Sequence, residues 1–265
     1  LPMAGAGGRG RGAGRVSKGS WPGSNWCPDL AEILTILRDA AIESAELVPS
    51  GSNYVFAVRL NAGEAGKGLG IYKPRRGEAP LWDYPNGDLY KREAAAYVVC
   101  EAVGWSFVPP TVIRDGPHGV GTVQLYIEHD PRQTFFSLRD QRSWDMQRMA
   151  AYDAAVNNGD RKGGHCLLGV DGRIWGIDHG LTFHSENKLR TVIWDYAGDP
   201  IPEPFLADLR RLAALLESGS DLREQLRELL TPQEIGAFRQ RIERLLSGGR
   251  FPTAGYRRSV PWPPV

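Results

Sequence analysis

The chain has 265 residues, 42% hydrophobic and 24% charged, enough apolar material for one large domain or two lobes sharing a cleft. Its net charge of +1 supplies no field to recruit nucleic acid or a membrane surface. Three widely spaced cysteines, Cys27, Cys100 and Cys166, argue against a disulfide framework or a zinc site and fit a reducing cytoplasm; no apolar run reaches the ~18 residues of a membrane span.

Residues 1–27 read as a tail, because their Gly/Arg-rich start lacks the apolar stretch of a signal peptide. From Cys27 to Val48, apolar residues at Ile33, Leu34, Ile36, Leu37, Ala40 and Ala41 predict one helix ending before Pro49. The period then changes. Tyr54, Phe56 and Val58 alternate with Val55, Ala57 and Arg59; "NAGEAGKG" breaks the run, and a second strand runs from Leu69 to Lys73. "NGDLYKREAAAYVVCEAVG" reads as a helix capped by Asp88 and stopped by Gly104. "FVPPTVIRDGPHGVGTVQLYI" gives two strands around a "DGPHG" turn.

The second half is mostly helical. "SWDMQRMAAYDAAVNN" places Met146, Met149, Ala150 and Ala154 on one side. "HCLLGV" and "RIWGID" form a hairpin about Asp171-Gly172. Two further helices follow, in "IPEPFLADLRRLAALLES" and in "TPQEIGAFRQRIERLLSGG"; the second opens on the capping box of Thr231 and Glu234, with Pro232 between. Residues 251–265 read as a loose Pro-rich tail.

Lys73 ends a strand, Glu93 sits in the following helix, and Asp160 and Asp178 flank the hairpin. Each alone fits a surface or turn role; their order is what phosphoryl transfer needs. A strand lysine holds nucleotide phosphates and a helix glutamate holds the lysine. One Asp positions the acceptor hydroxyl and a second holds the metal. Pro74 after Lys73 marks a strand end. Arg161 and Lys162 read as solvent-facing unless phosphate charge meets them beside Asp160. Cys166, in an apolar strand, reads as core. The insertion "KPRRGEAPLWDYPNGD", with Arg75, Arg76, Trp82 and Tyr84, overhangs the expected cleft as a solvated loop or an acceptor contact.

"GDRKGGH" followed by "GIDHG" resembles the catalytic and metal-binding segments of the phosphatidylinositol 3-/4-kinase-like superfamily, and the chain is similar to a compact actinobacterial branch of it. Bacterial persistence-toxin kinases and secretory-pathway kinases are more distant relatives in this resemblance, which covers Ser50 to His184. It implies an α+β, two-lobed kinase-like fold with an antiparallel-sheet N-lobe and a mostly helical C-lobe. Residues 28–128 form the N-lobe with its leading helix, and 129–250 the C-lobe. Asp160 matches the catalytic Asp, Lys73 the phosphate lysine, Glu93 its partner and Asp178 the metal Asp. "VQLYI" matches the strand leading to the hinge. There Gln124 lines the back of the adenine pocket, and the backbone of Leu125, Tyr126, Ile127 and Glu128 meets the base. Ser50, Gly51, Ser52 and Asn53 either cap the phosphates or only make a turn.

Two residues depart from the pattern. His165 stands where relatives have a metal-binding Asn, which points from Mg²⁺ toward Mn²⁺ because imidazole suits a softer ion. His179 replaces the Phe of Asp-Phe-Gly and removes an apolar anchor. The expected activity is transfer of the γ-phosphate of ATP, with Mg²⁺ or Mn²⁺, to a protein Ser/Thr or a small inositol-like polyol. Two alternatives stay open. One is a nucleotide-binding pseudokinase with a scaffold role. The other is a metal-dependent hydrolase built on Asp160, His165, Asp178 and His184.

Overall fold

The computed structural model describes residues 26–49, 52–84, 86–217, 219–255 and 259–265. Ser50 and Gly51, and residues 1–25 of the expected leading tail, lie outside these.

A five-stranded antiparallel sheet forms the first lobe, in the order β1-β2-β3-β5-β4. Its strands are β1 (Ala41–Val48), β2 (Val55–Asn61), β3 (Lys67–Pro74), β4 (Thr111–Gly116) and β5 (Gly119–Leu125). The single helix expected from Cys27 to Val48 is not one element. Helix α1 (Ile33–Asp39) stops early, and β1 pairs with β2 from Ala41↔Asn61 to Val48↔Val55. The Ala/Glu-rich run has helical propensity, but the backbone of β2 offers a ladder along it, with one irregularity between Ile42 and Ser44, and the fold takes it. Glu43 and Glu46 on this strand put charge along the sheet edge.

The two sheet faces have separate tasks. On one, Val58, Leu60, Tyr72, Val123 and Leu125 pack with Trp26, Ile33, Ile36 and Leu37. Trp26 is thus core rather than tail, and its ring lies where a Cβ on Gly68 would sit, 2.6 Å away. On the other face lies α2 (Leu89–Val103), which ends at Gly104 in the left-handed conformation, as the sequence indicates.

The second lobe gathers α4 (Ser143–Val156), α5 (Glu203–Leu215), α6 (Asp221–Leu229) and α7 (Pro232–Gly248) around one core with α2; the short α3 (Phe135–Leu138) precedes them. The hairpin of β6 (Cys166–Leu168) and β7 (Ile174–Gly176) lies at the junction of the lobes, with Leu167 and Trp175 in the sheet-side core and Cys166 and Ile174 in the helical one. The sequence reading missed α6, although Ser220 caps it and Leu222 and Leu226 face inward four residues apart. The capping box of Thr231 and Glu234 forms as expected. The expected loose Pro-rich end is anchored at two described points: Phe251 is buried and its N–H donates to Asp199 O, and Pro261 is buried. No helix among the described residues is long and apolar enough to cross a membrane.

One buried cation clamps the lobes. Arg92 of α2 donates to Asp88 Oδ1 (3.1 Å), to the Thr182 carbonyl (2.7 Å) and to Glu234 at the start of α7, and stacks over Tyr84 at 4.8 Å. Arg92→Ala strands two carboxylates, one of them buried, and is expected to cost about 3–5 kcal/mol. Denaturant unfolding checks this; a loss below ~1 kcal/mol would show that the clamp contributes little.

Candidate active site

Lys73 leaves β3 beside Thr122 of β5, on the face that α2 covers. Its Nζ bonds Glu93 Oε1 of α2 and lies 3.0 Å from Asp178 Oδ1. The ion pair expected between Lys73 and Glu93 is therefore present, and a second acid shares the lysine. Burial works against the Lys73 charge, but Asp178 and Glu93 more than offset it and hold its pKa above the ordinary range. The acids respond oppositely. Lys73 holds Asp178 far below the usual carboxylate range, whereas burial raises Glu93. Asp178 sits two residues beyond β7 at φ +60°, a left-handed conformation that is sparsely populated for a side-chain-bearing residue. That turn throws its carboxylate, 47% exposed, into the space between the lobes.

Asp160 follows α4 after an Asn157 cap that is also left-handed. Asn158 Oδ1 accepts the Asp160 N–H (3.0 Å), and Lys162 Nζ stands 3.3 Å from Asp160 Oδ2. Burial raises the Asp160 pKa, against the opposing pull of Lys162.

Arg161 is not solvent-facing. It is fully buried, and the structure gives each of its five N–H groups an acceptor: Asp153 Oδ2 (2.8 Å), Asp153 Oδ1 (2.9 Å), the carbonyls of His165 (3.2 Å) and Ile177 (2.9 Å), and His179 Nε2 (2.7 Å). The sequence pairs it with Lys162, but the fold turns the two residues in opposite directions. His179 accepts from a guanidinium, so its proton sits on Nδ1, which has no partner among the described residues. Burial and then Arg161 hold its pKa well below the ordinary value, so the ring is neutral. The expected loss of an anchor at position 179 is thus made good by a polar one. Asp153, which the sequence reading passed over, is the other half; a lone acid amid the Ala-rich apolar run of α4 was the available signal.

His165 lies with its Nε2 3.3 Å from Asp178 Oδ2, and its Nδ1 accepts the Lys162 N–H at 3.4 Å. Burial lowers its pKa to about 4, so the ring is neutral with the proton on Nε2, facing Asp178. His184 is elsewhere: Nε2 is 3.2 Å from the Asp83 carbonyl and Nδ1 accepts the Glu186 N–H. The four-ligand hydrolase site is therefore not assembled. Among the described residues no three His, Cys, Asp or Glu side chains form a metal-holding group.

At the sheet rim, Ser52 and Asn53 lie in the β1–β2 turn, at the Lys73 end of β3 given the Phe56↔Tyr72 register. Asn53 Oδ1 accepts the Ala79 N–H (2.8 Å), so it pins the insertion that follows β3. Gln124 is buried on the Lys73 face and donates to Thr111 Oγ1 (2.9 Å). The side chains of Leu125 and Ile127 join the opposite core, leaving only their backbone for a ligand. Tyr126 N–H is committed to Leu69 O. The insertion packs on residues 182–190: Asp83 meets Lys188 at 3.4 Å, and Lys188 Nζ lies 4.9 Å over the ring of the exposed Trp82.

No protein-family model matches the chain. Protein Rv2133c of Mycobacterium tuberculosis (strain ATCC 25618 / H37Rv) is 37% identical over 279 residues, covering 89% of this chain and 99% of that protein. Phosphatidylinositol 4-kinase gamma 4 of Oryza sativa subsp. japonica is 27% identical over 208 residues, or 65% of this chain; the match spans 36% of the rice protein. Among solved structures, the Golgi casein kinase with Mn/ADP bound superposes with a TM-score of 0.52 at 13% identity, over 82% of this chain and 74% of that one. Hydra Fam20 with sugar gives 0.52 at 13% identity, over 82% and 86%. The Helicobacter pylori proinflammatory kinase CtkA gives 0.51 at 10% identity, over 81% and 94%. The fold is the two-lobed kinase fold, with an antiparallel-sheet first lobe and a helical second.

Asp153→Ala leaves the buried Arg161 charge without its counter-ion and is expected to cost about 3–5 kcal/mol. Asp153→Asn, which keeps one acceptor oxygen, is expected to cost less. Paired chemical melts decide this; equal stability of wild type and Asp153→Ala would remove Arg161 as an organising charge.

Proposed function

We propose that this chain, which belongs to the same family as protein Rv2133c, is a phosphotransferase that moves the γ-phosphate of ATP to a hydroxyl. One observation carries the reading: Lys73 of β3 is shared by Glu93 of α2 and by Asp178, 105 residues away, beside the Asp160 loop. That is the arrangement phosphoryl transfer requires. The resemblance of the Asp160–Asp178 segment to the phosphatidylinositol 3-/4-kinase-like superfamily, and the rice relative, support the same class.

In this reading Glu93 holds the lysine from behind and Lys73 turns its charge to the phosphates. Ser52 and Asn53 border the phosphate end of the cleft. The base enters against Gln124 and the backbone of Leu125, Tyr126 and Ile127; the Ile127 N–H has no acceptor among the described residues, which suits a ring nitrogen. Asp160, its pKa raised by burial, receives the acceptor hydroxyl proton, and Lys162 next to it offsets charge on the transferred group. Asp178 and His165 are the donors placed to hold a divalent ion, which supplies charge neutralisation on the phosphates when bound. Oxygen from one and nitrogen from the other suit Mn²⁺ better than Mg²⁺, which prefers oxygen throughout. The three free thiols fit work in a reducing cytoplasm.

The second reading, a nucleotide-binding pseudokinase, has one observation in its favour: both Lys73 and His165 hold Asp178 in place. Turnover of labelled ATP separates the two. Asp160→Asn is expected to lower turnover by about 100-fold or more while ATP affinity stays within ~3-fold. Asp178→Ala is expected to abolish metal-dependent ATP binding in calorimetry. Unchanged ATP affinity in Asp178→Ala would refute its assignment, and absent turnover in the wild type would favour the pseudokinase.

His165 has a sharper test. To bind an ion through Nε2 its proton must move to Nδ1, against the Lys162 N–H. An Asn needs no such change and supplies the oxygen that Mg²⁺ prefers. His165→Asn is therefore expected to raise Mg²⁺-supported activity relative to Mn²⁺. Identical metal ratios in both proteins would remove His165 from the coordination shell.

A further inference from the structure

Residues 259–265, "SVPWPPV", return to the Asp160 loop. The Gly163 N–H, three residues after Asp160, donates to the Pro264 carbonyl at 2.7 Å. The Thr191 N–H and the Trp194 indole N–H both donate to the Ser259 carbonyl at 3.0 Å. Thr191 in turn bridges Arg161 in parallel register, so the segment lies across two strips of backbone that are themselves joined. Pro261 is buried beneath it. Gly163 admits the approach because a Cβ there would stand 2.7 Å from the Phe136 ring and 3.4 Å from the Pro264 carbonyl.

The chemistry of this contact is one-sided. The groove supplies three N–H donors, and the segment supplies carbonyls. Pro261, Pro263 and Pro264 have no N–H to leave unpaired and lose little freedom on ordering. Such a surface reads peptide carbonyls at two points and is indifferent to most side chains between them. A small polyol would find donors set for carbonyls at both ends of a six-residue span and little to fill the length between. The same groove borders the loop that carries Asp160 and Lys162.

We infer that this groove is the docking site of a polypeptide acceptor, recognised through its backbone carbonyls and held in the resting protein by the chain's own residues 259–265. The inference rests on the phosphotransfer reading for its acceptor role, but not for the groove itself. A tethered occupant acts at an effective concentration in the millimolar range. A protein acceptor therefore has to displace it, and transfer is restrained until it does.

The test introduces a protease site after Gly255 and cuts the folded protein, so that folding is complete before the segment is freed. A labelled SVPWPPV peptide is expected to rebind the cut protein saturably. The Gly163 and Thr191 amides should exchange at least ten-fold faster after release and slow again with peptide. Transfer to Ser/Thr-containing peptides should rise several-fold, and transfer to free inositol should not. Failure to rebind, or unchanged exchange, overturns the groove. Rebinding without faster transfer to peptides overturns its acceptor role. If neither form turns over ATP, the kinase reading falls, and rebinding and exchange still decide the groove.

Discussion

The guanidinium of Arg161 is the charge on which the site depends. A buried cation in this position costs several kcal/mol of desolvation unless every donor is met. Here each is met by a group from a different part of the second lobe: α4 through Asp153, the start of β6 through His165, the end of β7 through Ile177, and the turn beyond it through His179. Movement of any of these strips leaves a buried N–H unpaired. The Asp160 loop and the Asp178 turn are thereby held in one relation through the Arg161 side chain, which is fixed by two backbone carbonyls, Asp153 and His179 together.

Within that frame the acids of the cleft are differentiated by environment rather than by type. Asp178 is kept ionised by Lys73, Glu93 is raised by its burial, and Asp160 is raised by burial with Lys162 opposing. An acid held ionised suits a cation, and an acid with a raised pKa suits proton transfer. Lys73 has to neutralise two carboxylates at once. Under the proposed phosphotransfer, an incoming phosphate would compete for a lysine already engaged, and an accompanying divalent ion at Asp178 would relieve that competition.

His179 shows how a departure from a familiar pattern can preserve a task by other means. A phenyl ring in that place would anchor the turn by burial alone. The imidazole is equally buried, packs edge-on against Tyr152, and adds an acceptor for Arg161, at the cost of leaving Nδ1 unpaired. Its neutrality follows first from burial and then from the neighbouring guanidinium, since a second positive charge 2.7 Å away adds to the cost of a buried cation. The turn is held by a directional bond and not only by packing.

The sequence by itself determined the elements whose signals are local: the Gly104 stop of α2, the capping box of α7, the apolar face of α4, the Asp171-Gly172 hairpin and the chain order of Lys73, Glu93, Asp160 and Asp178. These follow from periodicity and capping within a few residues. The expected Asp88 cap does not form, because Arg92 takes its carboxylate. Tertiary structure decided what depends on distant partners. It made a strand of Ala41–Val48, because β2 lay alongside. It buried Arg161 fully and left Lys162 part-exposed beside Asp160, although the two are adjacent and of like charge, because only the former reaches Asp153 and His179. It buried Trp26 against Gly68 and anchored residues 259–265 by hydrogen bonds to the Ser259 and Pro264 carbonyls, the latter from Gly163, where the sequence suggests tails. A residue's charge and spacing state which contacts it can make. Which of them it does make is set by groups tens to a hundred residues away, and only the folded chain brings those within bonding distance.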